Sequence, residues 1–251
     1  MAIKTKTSQP KLRKLEWGPL DVHPACEDAK EILYYTHEAA SSLLDSYNQV
    51  RLARNPRRGT STTQEQDLLR AMLVMSAAGL DGMTKQLIRN TLPSLIDTHE
   101  SVRKGLETFV ARRLKGCTDS TTGAIDTKFM ARLLSAKSHQ AQAIEDYIQD
   151  LTGGSLQSAD ELIRSANALY LPEHERKVIV AAKDDLNKAF AIRNMVVHEL
   201  DMKSDGKKAR GRRLRNERKI DDMKSHVEKL LDIGVMFICG VSERLKNQIS
   251  L

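Results

Sequence analysis

Between Thr62 and Leu92, Leu69, Met72, Leu73, Ser76, Leu80, Met83 and Leu87 recur at steps of three and four. An α-helix puts such positions on one face, because its period is 3.6 residues whereas a strand repeats every two. Thr62 or Thr63 caps this helix, and Glu65 or Gln66 three residues later completes a capping box. Ser76, Ala77, Ala78, Gly79 and Gly82 carry almost no side chain, so a neighbouring helix can approach closely. A helix this long with one apolar stripe must bury that stripe against others. Aromatic residues make up only 4% of the chain, and Ala, Leu, Ile, Val and Met carry its apolar content. That balance favours helices over a β-sandwich.

The rest of the chain reads the same way. A helix is predicted over Ala25 to Arg54, with Ile32, Tyr35, Ala39, Leu43 and Tyr47 as its stripe. Asn55-Pro56-Arg57-Arg58-Gly59 ends it, and Arg51 and Arg54 suit the negative end of its dipole. Pro93 is expected to stop the second helix. A third runs over 96–114, a Ser/Thr/Gly loop covers 116–124, and a fourth spans 126–151 with Gly153-Gly154 after it. Ser158 and Glu161 open a short helix through Leu169. Pro172 opens a long helix that closes at His198, and a last one covers 219–245. The expectation is an all-α, up-and-down bundle of six or seven helices over residues 25–251. A basic tail over residues 1–24 precedes it, broken by Pro10, Pro19 and Pro24, and reads as a flexible terminus or a binding arm.

Several classes are excluded or disfavoured. Cys26, Cys117 and Cys239 are far apart, with neither zinc spacing nor a disulfide framework. The N-terminus lacks an apolar signal core, and the run from Ile233 to Val241 is too short to span a bilayer. A soluble cytoplasmic protein, without membrane contact, is expected. No Gly-rich phosphate cradle or nucleophile elbow is present, and neither cofactor nor metal is expected. The net charge of +7 points to a polyanionic partner or to a merely basic surface.

The chemistry concentrates at the end of the helix after Pro172. Its stripe of Ile179, Ala182, Leu186 and Ala189 continues to Arg193 and Val197. A guanidinium at the edge of an apolar stripe needs an anionic answer. Asp81, in the small-residue stretch of the second helix, is the best supporting acid candidate. Five residues after Arg193 comes His198, the side chain suited to proton transfer near neutral pH. Asn194 lies four before His198, on the same helix face. Arg132 and His139 make a rival pair without the apolar filler or the charged turn after the histidine. Lys207, Lys208, Arg210, Arg212, Arg213 and Arg215 follow in a basic stretch over 203–219 that has no aromatics. Such a stretch binds phosphates without stacking bases, or is a solvated loop.

The run Arg193-Asn194-Met195-Val196-Val197-His198 resembles the signature of the HEPN superfamily of helical ribonuclease domains: Arg, a polar residue, a few positions, His. The segment from Ala71 to Asp81, an apolar run leading into small residues and Leu-Asp, is similar to the early helix of the RiboL-PSP-HEPN branch. The resemblance implies a metal-independent endoribonuclease whose two motifs meet across a homodimer interface. Its products would be a cyclic phosphate and a 5′-hydroxyl. Arg193 would hold the phosphate, His198 would transfer a proton, and Asn194 would orient one or the other. The resemblance also implies RNA as partner, a toxin or antiviral-defence setting, and a neutralising antitoxin or defence-system protein. Other members keep the fold as non-catalytic nucleic-acid-binding or dimerisation modules, which is the alternative here.

Overall fold

A computed structural model describes residues 9–17, 21–54, 61–115, 126–203, 208–209 and 212–247. Among the described residues the chain is all-α, with nine helices rather than six or seven and one very short hairpin. The helices are α1 (Glu27–Ala53), α2 (Thr63–Thr98), α3 (Glu100–Lys115), α4 (Thr127–Ser135), α5 (His139–Thr152), α6 (Ala159–Ala168), α7 (Glu173–Ala181), α8 (Lys183–Glu199) and α9 (Ile220–Lys246). The hairpin pairs β1 (Lys208–Ala209) with β2 (Arg212–Arg213), antiparallel, Lys208 opposite Arg213.

α2 is the centre of the bundle and packs against α1, α3, α5, α8 and α9. Its predicted stripe is buried at every position. Thr62 caps it with the full box: the Thr62 hydroxyl accepts from Glu65 N–H, and Glu65 accepts from Thr62 N–H at 2.9 Å. The small-residue stretch does admit a neighbour. A Cβ built on Gly79 would land inside the Thr36 side chain of α1. Gly234 of α9 opens a similar seat, where a Cβ would lie 2.8 Å from a Leu33 methyl. These two glycines bring α1, α2 and α9 together around one core.

Three boundaries differ from expectation. α2 runs through Pro93 to Thr98, because Leu92, Leu95 and Ile96 continue its buried stripe. A proline costs one backbone hydrogen bond, and that face offsets it. The 126–151 helix breaks at 136–138, where the Ser138 hydroxyl takes up Ala141 N–H and starts α5 afresh. This also separates Arg132 on α4 from His139 on α5. The helix from Pro172 breaks at Ala182, whose ψ of 0° leaves the helical range. α7 then packs on α6 and α9, while α8 lies against α2, α6 and α9.

α1 differs in which face it buries. Ala29, Leu33, Thr36, Ala40 and Leu44 face the core, one residue on from the expected Ile32, Tyr35, Ala39 and Leu43; Tyr47 is buried as expected, and Tyr35 is exposed. The expected free tail is also corrected over residues 9–17, which run as a strap along α1 and α9. Asn48 Nδ2 donates to Pro10 O at 2.9 Å, and Arg13 reaches Glu228 and Asp232, the latter at 2.8 Å. Residues 1–8 and 18–20 of the expected tail lie outside the described residues. No helix among the described residues is long and apolar enough to cross a membrane.

Candidate functional site

The last two turns of α8 carry Arg193, Asn194 and His198. α8 stops because Leu200 and Asp201 take left-handed conformations, φ 51° and 58°, and both N–H groups return to Met195 O. Neither residue is glycine, so this turn stores strain of roughly 1–2 kcal/mol per residue. What holds it is the Asp201 side chain, which is fully buried. Arg70 Nε of α2 donates to its carboxylate at 2.8 Å, Asn216 Nδ2 at 3.0 Å, and Arg218 through two nitrogens. Burial pushes the Asp201 carboxyl up. Hydrogen bonds from Arg218, Arg70 and Asn216 outweigh burial and hold it below the usual carboxylate range. Around this clamp, Gln66 exchanges two hydrogen bonds with the Arg218 backbone, at 2.7 and 2.9 Å. The end of the motif helix is therefore bolted to α2 and to the segment entering α9.

On this rigid end, Arg193 is half-buried. Its Nη1 donates to Asn194 Oδ1 at 3.0 Å, while its Nε is buried without a hydrogen-bond partner among the described residues. Asn194 and His198 are exposed, four residues apart on one strip that also holds Val197, 42% exposed. Arg193 and His198 point about 140° apart and stand about 7.5 Å apart along the axis, by helix geometry. Their Cβ atoms therefore leave α8 in different directions. Leu200, 62% exposed, adds to the apolar surface beside His198.

Asp81 does not face Arg193. Its Oδ2 pairs with Lys85 at 2.7 Å, and its Oδ1 accepts Leu156 N–H at 2.6 Å. Oδ1 pins the loop before α6 onto α2 and Oδ2 pairs within α2, so neither oxygen is free to answer Arg193 as a supporting acid. Arg215 also departs from expectation. Its Nε donates to Leu200 O at 2.8 Å and its Nη1 to Asp67 at 2.6 Å. It closes the α8 terminus and offers no free fork to a phosphate. Lys208, Arg212 and Arg213 lie on the hairpin strands, so the basic stretch folds back on itself; Met202 bridges Arg215 below them. Lys207 and Arg210 lie outside the described residues.

The sequence reading missed Arg70, Asp201, Asn216 and Arg218 as a unit. Arg70 sits in the α2 stripe, four after Gln66 and three before Leu73. Like Arg193, it is a guanidinium in an apolar stripe that needs an anionic answer. His226 was also passed over. It sits on α9 beside α8, lining a hollow of about 270 Å³ with Ile192, Met223 and Lys219. Burial pushes its imidazole down, against the pull of Asp222 and Asp185. Among the described residues, no three His, Cys, Asp or Glu side chains gather as metal ligands. No protein-family model, curated protein or solved structure matches the chain.

Proposed function

We propose that this chain is a HEPN-like endoribonuclease that works without a metal ion, as a homodimer. The observation that carries this reading is the exposed strip of Asn194, Val197 and His198 on a rigidly clamped helix end, with Arg193 beside it. A proton-transfer residue held in place yet open to solvent suits a large polymeric substrate. The exposed apolar side chains of Val197 and Leu200 suit a second copy laid across the same strip. Two copies supply what one lacks: two histidines and two guanidiniums around one phosphate.

The chemistry follows. One His198 takes the proton of a ribose 2′-hydroxyl, and the 2′-oxygen attacks phosphorus. The bond to the 5′-oxygen breaks, and the partner's His198 gives that oxygen a proton. The products are a cyclic phosphate and a 5′-hydroxyl. Arg193 lends its planar fork to the phosphate oxygens as negative charge builds. Asn194 accepts a hydrogen bond from Arg193 and orients it, one turn from His198. The basic segment over residues 203–219 follows this site directly in the sequence, and its charge supplies attraction for the RNA backbone.

The test is cleavage of mixed cellular RNA in EDTA by the wild type, His198→Ala and Arg193→Ala proteins. Cleavage by the wild type alone, with all three equally folded, is the expected result. RNA binding without cleavage by any of them moves the reading to a nucleic-acid-binding module. Equal cleavage by all three removes Arg193 and His198 from the site.

A further inference from the structure

The rotation of α1 leaves aromatic side chains on the surface of a chain that has few. Tyr34 and Tyr35 are 50% and 58% exposed and stand edge to face, ring centres 5.9 Å apart. Trp17, at the end of the N-terminal strap, lies beside them and is the only tryptophan in the chain. Two shallow hollows, about 500 and 350 Å³, meet at Trp17 and Tyr34.

The charge of this face is opposite to that of the molecule. Glu38 and Asp45 line one hollow, and Glu27, Asp28 and Glu31 the other, while Lys14 and Lys30 are the lysines there. Five carboxylates against two lysines, in a chain of net charge +7, make a local inversion. Glu38 follows Tyr34 by one helical turn and Glu31 precedes Tyr35 by one, and each carboxylate pushes the neighbouring phenol hydroxyl up. Lys30 Nζ already lies 5.9 Å from the centre of the Trp17 ring, an internal example of the contact this face makes with a cation.

We propose that the Trp17, Tyr34 and Tyr35 face is a docking surface for a lysine- and arginine-rich segment of a partner protein. Exposed rings receive guanidinium or ammonium groups over their faces, and the carboxylates beside them add charge-assisted hydrogen bonds. Aromatic residues are the side chains most enriched at binding hot spots. Nucleic acid is disfavoured here, because the same carboxylates repel phosphate. The proposal stands apart from the ribonuclease reading, since none of its residues belongs to α8.

Trp17 makes the test direct. The full chain is titrated with a short lysine- and arginine-rich peptide while its tryptophan fluorescence is read. A saturable change is expected, and none with a glutamate-rich peptide of the same length. The Tyr34→Ala/Tyr35→Ala protein is expected to bind about tenfold more weakly, the effect of losing two exposed cation–π contacts. The Glu31→Gln/Glu38→Gln protein removes charge with the rings in place and is expected to weaken binding similarly. All these side chains are exposed, so unchanged melting temperatures are expected. An absent fluorescence change overturns the proposal, as does equal binding of the glutamate-rich peptide or undiminished affinity in both variants. If the 203–219 peptide of this chain binds far more tightly than the other basic peptide, the occupant is a second copy, and the partner-protein assignment fails.

Discussion

Replacing Asp201 with asparagine keeps the side-chain volume and removes one negative charge from between Arg70 and Arg218. Arg218 then loses this counter-ion, and the buried Arg70 keeps only the half-exposed Asp67, 3.0 Å from its Nη1. Breaking a buried pair from one side costs about 3–5 kcal/mol, so a large loss in denaturant midpoint is expected. The pH dependence has a defined sign. An unfolded aspartate titrates near pH 3.9. The folded Asp201 carboxyl lies lower, so between the two values the unfolded chain binds more protons. This contribution is full above the unfolded pKa and is lost as pH falls through the folded one. Denaturation curves collected down to about pH 3 should show the loss in the wild type and not in Asp201→Asn. At this scale legibility was uneven. Arg193 and His198 could be found because they are close in sequence. Asp201 gains its role from Arg70, 131 positions earlier, and from backbone angles that no residue type announced.

The α1–α2 contact turns on Gly79. An alanine there gains about 1 kcal/mol of helix propensity and forces its methyl group into Thr36. Thr36 cannot step aside easily, because it is β-branched and its hydroxyl donates to Ile32 O at 2.7 Å. Overpacking of this kind costs about 1–3 kcal/mol, so Gly79→Ala is expected to be destabilising overall, and Thr36→Ala in the same protein should recover only part of the loss, because the Cβ of residue 36 still lies 2.7 Å from the new methyl group. Thermal melts of the two single variants and the double variant check this. Pro93 argues the other way. An interior proline costs up to about 3 kcal/mol, so Pro93→Ala should raise the melting temperature by several degrees without moving the ends of α2. The stripe of α2 was legible because leucines and methionines fill it without ambiguity. The stripe of α1 was not. Apolar residues stand on both of its sides, at Ile32, Leu33, Tyr34 and Tyr35, and only the glycine seats of α2 and α9 select the Leu33 side. The break at Ala182 has no proline or glycine behind it, so nothing in its residue types marked where α7 ends.

For the whole molecule the central question is how many chains make one site. The clamp at Asp201, the strap over α1 and α9, and the α2 core make a rigid body that presents the α8 strip outward. Within that body Arg193 and His198 face different ways, which leaves the proposed chemistry dependent on a second chain. Val197→Glu tests this dependence without touching a reacting group. Val197 is 42% exposed in the single chain, so a carboxylate there is solvated and the fold should melt as before. In a two-fold interface the same substitution places two carboxylates together, since an isologous contact repeats every change. Like charges juxtaposed in an interface cost several kcal/mol, enough to raise a dimer dissociation constant by two orders of magnitude or more, roughly. Light scattering at micromolar concentration should then find a dimer for the wild type and a monomer for Val197→Glu. RNA cleavage should fall in proportion to the dimer lost and return as the variant is concentrated. A Val197→Glu protein that is monomeric and fully active would place the whole site within one chain. Arg193 would then have to reach the phosphate from its own side of α8.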